Sequence, residues 1–215
     1  MAFERSRSAR AGNTETRSSG DQITAWRHDA GVSWTVVTTI IKTLRLLLLG
    51  LWLGAAVFFG AAVAPALFGV LHSTGLSNAN ELAGSIVTRL LATINTSGFA
   101  VSLFLLMTAY FSARVGNRVA VFAEMISAAI MIIMCGVNHW VIAARMVALR
   151  AAMQLPIDQI ARDDPRRVAF DSLHSYSVAV MGVAIVAGLI GFLIMARGSS
   201  PTRGPQAGSP LGVER

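Results

Sequence analysis

The chain has 215 residues and a formal net charge of +7, and it is 54% hydrophobic but only 13% charged. Soluble domains carry about 25% charged residues, so this composition argues against an ordinary soluble domain. Its basic residues lie in the tails and the connections, with no basic face and no aromatic stacking motif, which excludes nucleic acid as the expected partner. The single cysteine, Cys135, excludes an internal disulfide.

Both ends of the chain are polar. Residues 1–31 are rich in Ser and Arg, lack the short apolar core of a signal peptide, and are predicted to form a disordered cytoplasmic tail. Residues 198–215 are rich in Gly, Pro and Ser and are predicted to be disordered as well. The segment 32–197 between them is the predicted transmembrane domain.

Four long apolar segments follow the first tail. The run from residue 46 to 71 contains no ionisable side chain, and it exceeds the roughly 20 residues that a helix needs to cross a bilayer. Comparable segments occupy about 88–112, 119–146 and 170–196. We therefore predict an all-α fold, an integral membrane four-helix bundle whose natural partner is the lipid bilayer.

The distribution of Lys and Arg predicts the orientation. The segment up to Arg45, the second connection and the C-terminus carry seven, two and three of them, whereas the first and third connections carry one and five. By the positive-inside rule, this excess predicts that both termini are cytoplasmic, in a bacterial-type inner membrane.

The third connection contains signals for helix ends. Asp164 precedes Pro165, the arrangement expected of an N-cap followed by proline at the first helical position. Pro156 stops the third helix near residue 155. Helices three and four are therefore predicted to project beyond the bilayer as an antiparallel pair.

Polar residues recur within the apolar segments at helical spacing. Residues seven apart lie within about 20° of each other on a helix, so Asn138 and Arg145 are predicted to share one face. Polar groups in membrane helices face the bundle interior. Because both termini are predicted to be cytoplasmic, these polar residues are expected at one depth, in the outer half of the membrane. The predicted outward-facing polar pocket comprises Pro65, Asn95, Asn138, His139, Arg145, Asp171, His174 and Ser177.

Each polar residue also has a structural interpretation. Asn95 and Asn138 can be interhelical hydrogen-bonding residues, worth about 0.6–2 kcal/mol each. Arg145 is within predicted reach of Asp171 or Asp164 on the neighbouring helix, where it would form a structural ion pair.

A metal site is the sharper alternative. Cys135 and His139 are four residues apart on one helical face, and His174 enters from the next helix; such ligands suit copper(I), and two histidines suit haem. No CxxC or HxxxH spacing accompanies them, so no cofactor is expected by default. Nucleotide-binding, hydrolase and metalloprotease motifs are absent, and nothing in the sequence favours an enzyme.

Three short blocks carry a family resemblance: "LWLGAAVFFGAAVAPALF" (51–68), "VNHWVIAAR" (137–145) and "RDDPRRVAFDSLHSYSVAVMGVAIVAGL" (162–189). They resemble the transmembrane-protein-two-hundred-and-five-like family, small four-helix membrane proteins mostly described as a domain of unknown function. The resemblance covers about 46–196 and implies a four-helix bundle. The acidic-proline pair that some members carry before the Arg145 position is replaced by Ala143 and Ala144. Some relatives are associated with metal or drug tolerance.

These observations predict a membrane protein that handles, or confers tolerance to, a small solute or metal through the polar pocket. A haem or copper redox protein using His139 and His174 is one alternative, and a structural membrane subunit without a ligand is another. A second copy of the chain or another membrane protein is the further partner left open.

Overall fold

In a computed structural model, the described residues, 36–112 and 118–197, form four long helices. They are α1 (Val36–Ser73), α2 (Ala79–Phe111), α3 (Arg118–Met153) and α4 (Pro165–Arg197), and each is long and apolar enough to cross a membrane. The described residues contain no strand. The predicted all-α, four-helix membrane fold is thereby confirmed, while both predicted disordered tails lie outside the described residues.

The surface of the bundle is apolar. By packing, the chain divides between Arg45 and Leu46, and the bundle described below is formed by residues 46–112 and 118–197. Large side chains such as Leu51 (68% exposed), Phe122 (64%) and Val178 (60%) point outward. An all-round apolar exterior of this kind suits acyl chains and not water, because a soluble protein rarely exposes so much contiguous apolar surface.

One half of the bundle, here called the closed half, is packed through small residues on α4. A Cβ added at Gly188 would lie 3.1 Å from Leu53 Cδ2, and one added at Gly191 would lie 2.6 Å from Ser127 Oγ. Ser127 Oγ also donates a hydrogen bond to the carbonyl of Ala187. These small residues let α1 and α3 approach the α4 backbone closely, as small-xxx-small spacing does in lipid.

The α1–α2 contact relies on a glycine in the same way. Trp52 Nε1 donates a hydrogen bond to the carbonyl of Ile94 at 2.9 Å. A Cβ added at Gly98, one turn further along α2, would lie 2.5 Å from Trp52 Nε1. Only glycine leaves space for the indole ring at this position, and Trp52 is 5% exposed as a result.

Two helices contain a π-helical turn. In α1 the turn spans Phe59–Val63, and the Ala64 N–H donates to the Phe59 carbonyl. In α3 it spans Val137–Ile142, and the Ala143 N–H donates to the Asn138 carbonyl. Each is a bond between residues five apart, so one extra residue is inserted into the helix. The residues that follow are consequently rotated by about 100° relative to an uninterrupted α-helix.

The connection between α3 and α4 is held by hydrogen bonds at both of its ends. Asp164 Oδ1 accepts from the Arg166 N–H at 2.7 Å, and α4 begins at Pro165, which confirms the predicted helix start. Arg166 Nη1 donates to the carbonyl of Ala152 at 2.7 Å and so satisfies a carbonyl at the end of α3. Directly after the end of α3, Gln154 adopts the left-handed backbone conformation, with φ of 57°.

Candidate functional site

Three polar side chains from three helices meet at the centre of the bundle. Asn138 Nδ2 on α3 donates to Asn95 Oδ1 on α2 at 3.3 Å. Ser177 Oγ on α4 donates to Asn138 Oδ1 at 2.7 Å. The three residues are 2%, 1% and 4% exposed in the order Asn95, Asn138, Ser177. This hydrogen-bonded set, here called the polar triad, compensates in part for taking three polar groups out of water.

The π-turn of α3 decides which residues follow the triad on the inner face. Asn138 and His139 both lie inside it; Asn138 is buried in the triad and His139 lines the adjacent cavity. Because the turn inserts one residue, positions seven apart no longer coincide across it. Arg145 is therefore exposed, whereas Met146 and Arg150 face inward.

A cavity of about 280 Å³ begins at the triad and extends toward the connections 74–78 and 154–164. We call this part of the bundle the loop half. The volume is near the lower end of the range of about 300–1,000 Å³ typical of small-molecule sites. Its ionisable lining residues are His139, Arg150, Asp158, Arg167, Asp171 and His174, and its neutral polar ones are Asn80, Thr88, Asn95 and Ser177. Apolar side chains, including Phe68, Leu91, Met146 and Val147, form the wall between the polar triad and the polar residues near the connections.

The connection 154–164 is fastened over the cavity by the first turn of α2. Glu81 Oε1 lies 2.9 Å from Arg150 Nε, and Glu81 Oε2 accepts from the Ile157 N–H at 3.2 Å. Asp158 accepts from Asn80 Nδ2 at 2.5 Å and from the Glu81 N–H at 3.4 Å. Carboxylates at a helix N-terminus also interact favourably with the helix dipole.

Arg150 occupies a defined position at the rim of the cavity. Its guanidinium lies 5.5 Å from the centre of the Phe170 ring, a cation–π distance. A Cβ added at Gly84 would lie 3.3 Å from Arg150 Nη1, so the guanidinium rests on the α2 backbone. Arg167 Nη1 donates to the carbonyls of Ile157 and Ile160. Both arginines at the rim are thus already engaged by the protein.

The eight residues predicted from the sequence fall into two groups. Asn95, His139, Asp171, His174 and Ser177 line the cavity, and Asn138 lies directly behind it in the triad. Pro65 and Arg145 are exposed and do not line it. The expected ion pair of Arg145 with Asp171 or Asp164 is not formed: Arg150 pairs with Glu81, and Asp164 lies near Arg166. The prediction assumed an unbroken seven-residue register, which the π-turn interrupts.

The predicted metal ligands are not gathered together. Cys135 is 1% exposed and belongs to the apolar core, while His174 is exposed at the cavity mouth. Within residues 36–112 and 118–197, no three His, Cys, Asp or Glu side chains cluster closely enough to hold a metal ion. His139 Nδ1 is enclosed and makes no hydrogen bond to these residues. Copper or haem binding stays a prediction from the sequence.

Five residues at the rim were not anticipated: Asn80, Glu81, Arg150, Asp158 and Arg167. Glu81 carries a signal that sequence can supply, an acidic residue in the first turn of a helix. The others have none, because their role depends on the connection 154–164 folding back onto α2. Long-range contacts of this kind are invisible to helical periodicity.

Comparison with protein families gives one match. The profile described as "Domain of unknown function (DUF4149)" covers residues 47–154, which include most of the first helix and all of the second and third. The expected membership of an uncharacterised family is confirmed, while the narrower resemblance to the transmembrane-protein-two-hundred-and-five-like family stays a prediction from the sequence. The block 162–189 lies outside the match. No curated protein and no solved structure matches the chain significantly.

Proposed function

Because the chain belongs to DUF4149, a family of unknown function, we propose a function from the loop half: a multi-pass membrane protein that binds a small solute in the cavity above the polar triad. The cavity combines apolar walls with a few polar groups that converge from three helices. This mixture is typical of ligand sites, where apolar surface supplies affinity and polar groups fix orientation. It is the observation on which the proposal rests.

The direction of access follows from the predicted topology. With both termini cytoplasmic in a bacterial-type inner membrane, the loop half faces outward, and the solute enters from the periplasmic side. Gln159 in the connection 154–164 is exposed, and the native Cys135 is buried. A Gln159→Cys variant should therefore react with a membrane-impermeant maleimide in spheroplasts, against the low background of the wild-type protein. Labelling only after the membrane is permeabilised would reverse the orientation.

A substitution at an apolar lining residue can fill the cavity and leave its polar residues unchanged. Ala143 lines it, whereas Ala144, the next residue of α3, is exposed. Ala143→Leu should abolish the stabilisation of purified protein by whichever solutes of a broad metabolite panel raise its thermal midpoint. Ala144→Leu adds the same isopropyl group on the exposed side of α3 and is the matched control. Equal ligand responses in the two variants would contradict a solute site in this cavity.

A structural role is the second candidate, and the triad is the observation that favours it. Asn138 uses its amide to join α2 and α4 and does not line the cavity. Were the chain only a structural subunit, no solute in the panel would shift its thermal midpoint, and cavity-filling would have no functional consequence. The Ala143→Leu experiment therefore separates the two candidates.

A further inference from the structure

The floor of the cavity presents an unused hydrogen-bond donor. Asn95 lines the cavity and is only 2% exposed. Its Oδ1 accepts from Asn138, but its Nδ2 donates to none of the described residues, and that atom is not sealed away from the cavity space. A buried amide donor without a partner is unfavourable in free energy. A ligand oxygen at this point would recover that free energy.

The rim of the cavity presents an unused carboxylate. Of the two carboxylates that line it, Asp158 is bonded to Asn80 and to the Glu81 N–H. No hydrogen bond or ion pair joins the Asp171 carboxylate to the rest of the described chain. Arg150 is paired with Glu81, and Arg167 donates to two carbonyls. Among the Asp and Arg side chains that line the cavity, Asp171 is therefore the one without a protein partner.

The two unused groups are separated by a stretch of the cavity whose length follows from α4. Asp171, His174 and Ser177 follow one another at helical spacing on the cavity face of α4. Asp171 and Ser177 are six residues apart, which corresponds to about 9 Å along the helix axis. Ser177 lies at the level of the triad and hence of Asn95. Leu91 and Met146 line the cavity between these levels.

We infer that the ligand is a small organic cation: an ammonium group that pairs with Asp171, a flat or narrow apolar body, and a hydrogen-bond acceptor at the far end for Asn95 Nδ2. This inference rests on the proposed solute site and specifies its chemistry. An anion of the same shape is disfavoured, since both arginines at the rim are committed to protein partners and Asp171 would repel it.

Four matched benzene derivatives test the assignment on the full-length protein in nanodiscs by isothermal titration calorimetry. 4-(Aminomethyl)benzamide has both polar ends, benzylamine lacks the acceptor, 4-methylbenzamide lacks the charge, and 4-carbamoylbenzoate replaces the cation by a carboxylate. The first should bind most tightly and the carboxylate most weakly. Tighter binding of the carboxylate, equal binding of all four, or binding of none would overturn the inference.

Two carboxylate variants assign the cation contact to a residue. Asp171→Asn should weaken 4-(aminomethyl)benzamide by about twofold to fivefold, the loss expected for an ion pair at an exposed carboxylate, and should leave 4-methylbenzamide unchanged. Asp163→Asn removes an exposed carboxylate that does not line the cavity and should change neither. An unchanged affinity in Asp171→Asn would refute the cation contact. Loss of binding in Ala143→Leu would still support the proposed solute site, so the two failures are distinguishable.

Discussion

The two halves of the bundle are built from the same apolar helices, but the closed half is tightly packed and the loop half contains a cavity. In the closed half, Gly98 and Gly191 let a tryptophan and a serine lie against helix backbone. In the loop half, α2, α3 and α4 enclose a cavity of about 280 Å³. The π-turn of α3 sets which residues of that helix face the cavity, and the rim is fastened by Glu81 and Arg150. In this bundle, glycines allow close packing in the closed half, whereas the π-turn of α3 and long polar side chains border the cavity of the loop half.

The largest effect is expected in the closed half. Gly98→Ala places a methyl group 2.5 Å from Trp52 Nε1, so the indole must move and its bond to the Ile94 carbonyl is lost. We expect a loss of about 2–3 kcal/mol in the free energy of unfolding, measured by denaturing-detergent titration. At Gly54 an added Cβ meets nothing within 4 Å, so Gly54→Ala should stay within about 1 kcal/mol of wild type. Equal losses would mean that close backbone approach does not hold this half together.

The next effect is expected at the boundary of the two halves. Asn138→Ala removes both hydrogen bonds of the triad and leaves Asn95 Oδ1 and the Ser177 hydroxyl without these partners. We expect a loss of about 2 kcal/mol in the same titration. Thr96→Ala is the control, because Thr96 is exposed and bonds only to carbonyls of its own helix. A stability as high as that of the control would show that the triad contributes nothing to folding.

The smallest effect is expected at the rim. Arg150→Gln removes the ion pair with Glu81, whose side chains are 24% and 32% exposed for Arg150 and Glu81; pairs this accessible contribute about 1 kcal/mol or less. Hydrogen exchange in residues 154–164 should accelerate more than exchange elsewhere. Arg145→Gln removes an exposed arginine nearby and should leave the exchange unchanged. Faster exchange in both variants alike would refute the fastening role of Arg150.

The location of the polar centre was predictable from the sequence in part. Asn95, Asn138 and Ser177 could be assigned to the interior because lipid offers polar side chains no partner. Their mutual contact required only that three helices pack at one depth. The prediction that Arg145 lines the pocket was wrong for a local reason. Periodicity assumes 3.6 residues per turn, and the π-turn at Val137–Ile142 adds a residue that composition does not reveal.

The contacts at the rim of the cavity cannot be predicted from helical periodicity. Arg150 pairs with Glu81, 69 residues earlier in the chain, as its Nε–Oε1 contact records. Nothing in either local sequence specifies the other. The partners meet because the connection 154–164 folds back onto the start of α2.

The sequence alone determined that the helices lie in a bilayer, since uninterrupted apolar segments of this length are stable only where a bilayer surrounds them. It also determined the helical architecture, because in a bilayer every backbone polar group must be bonded within a helix. Tertiary structure alone decided which polar side chains share a cavity. That choice depends on helix rotation, and a single inserted residue changes the rotation by about 100° without altering the apolar character of the segment.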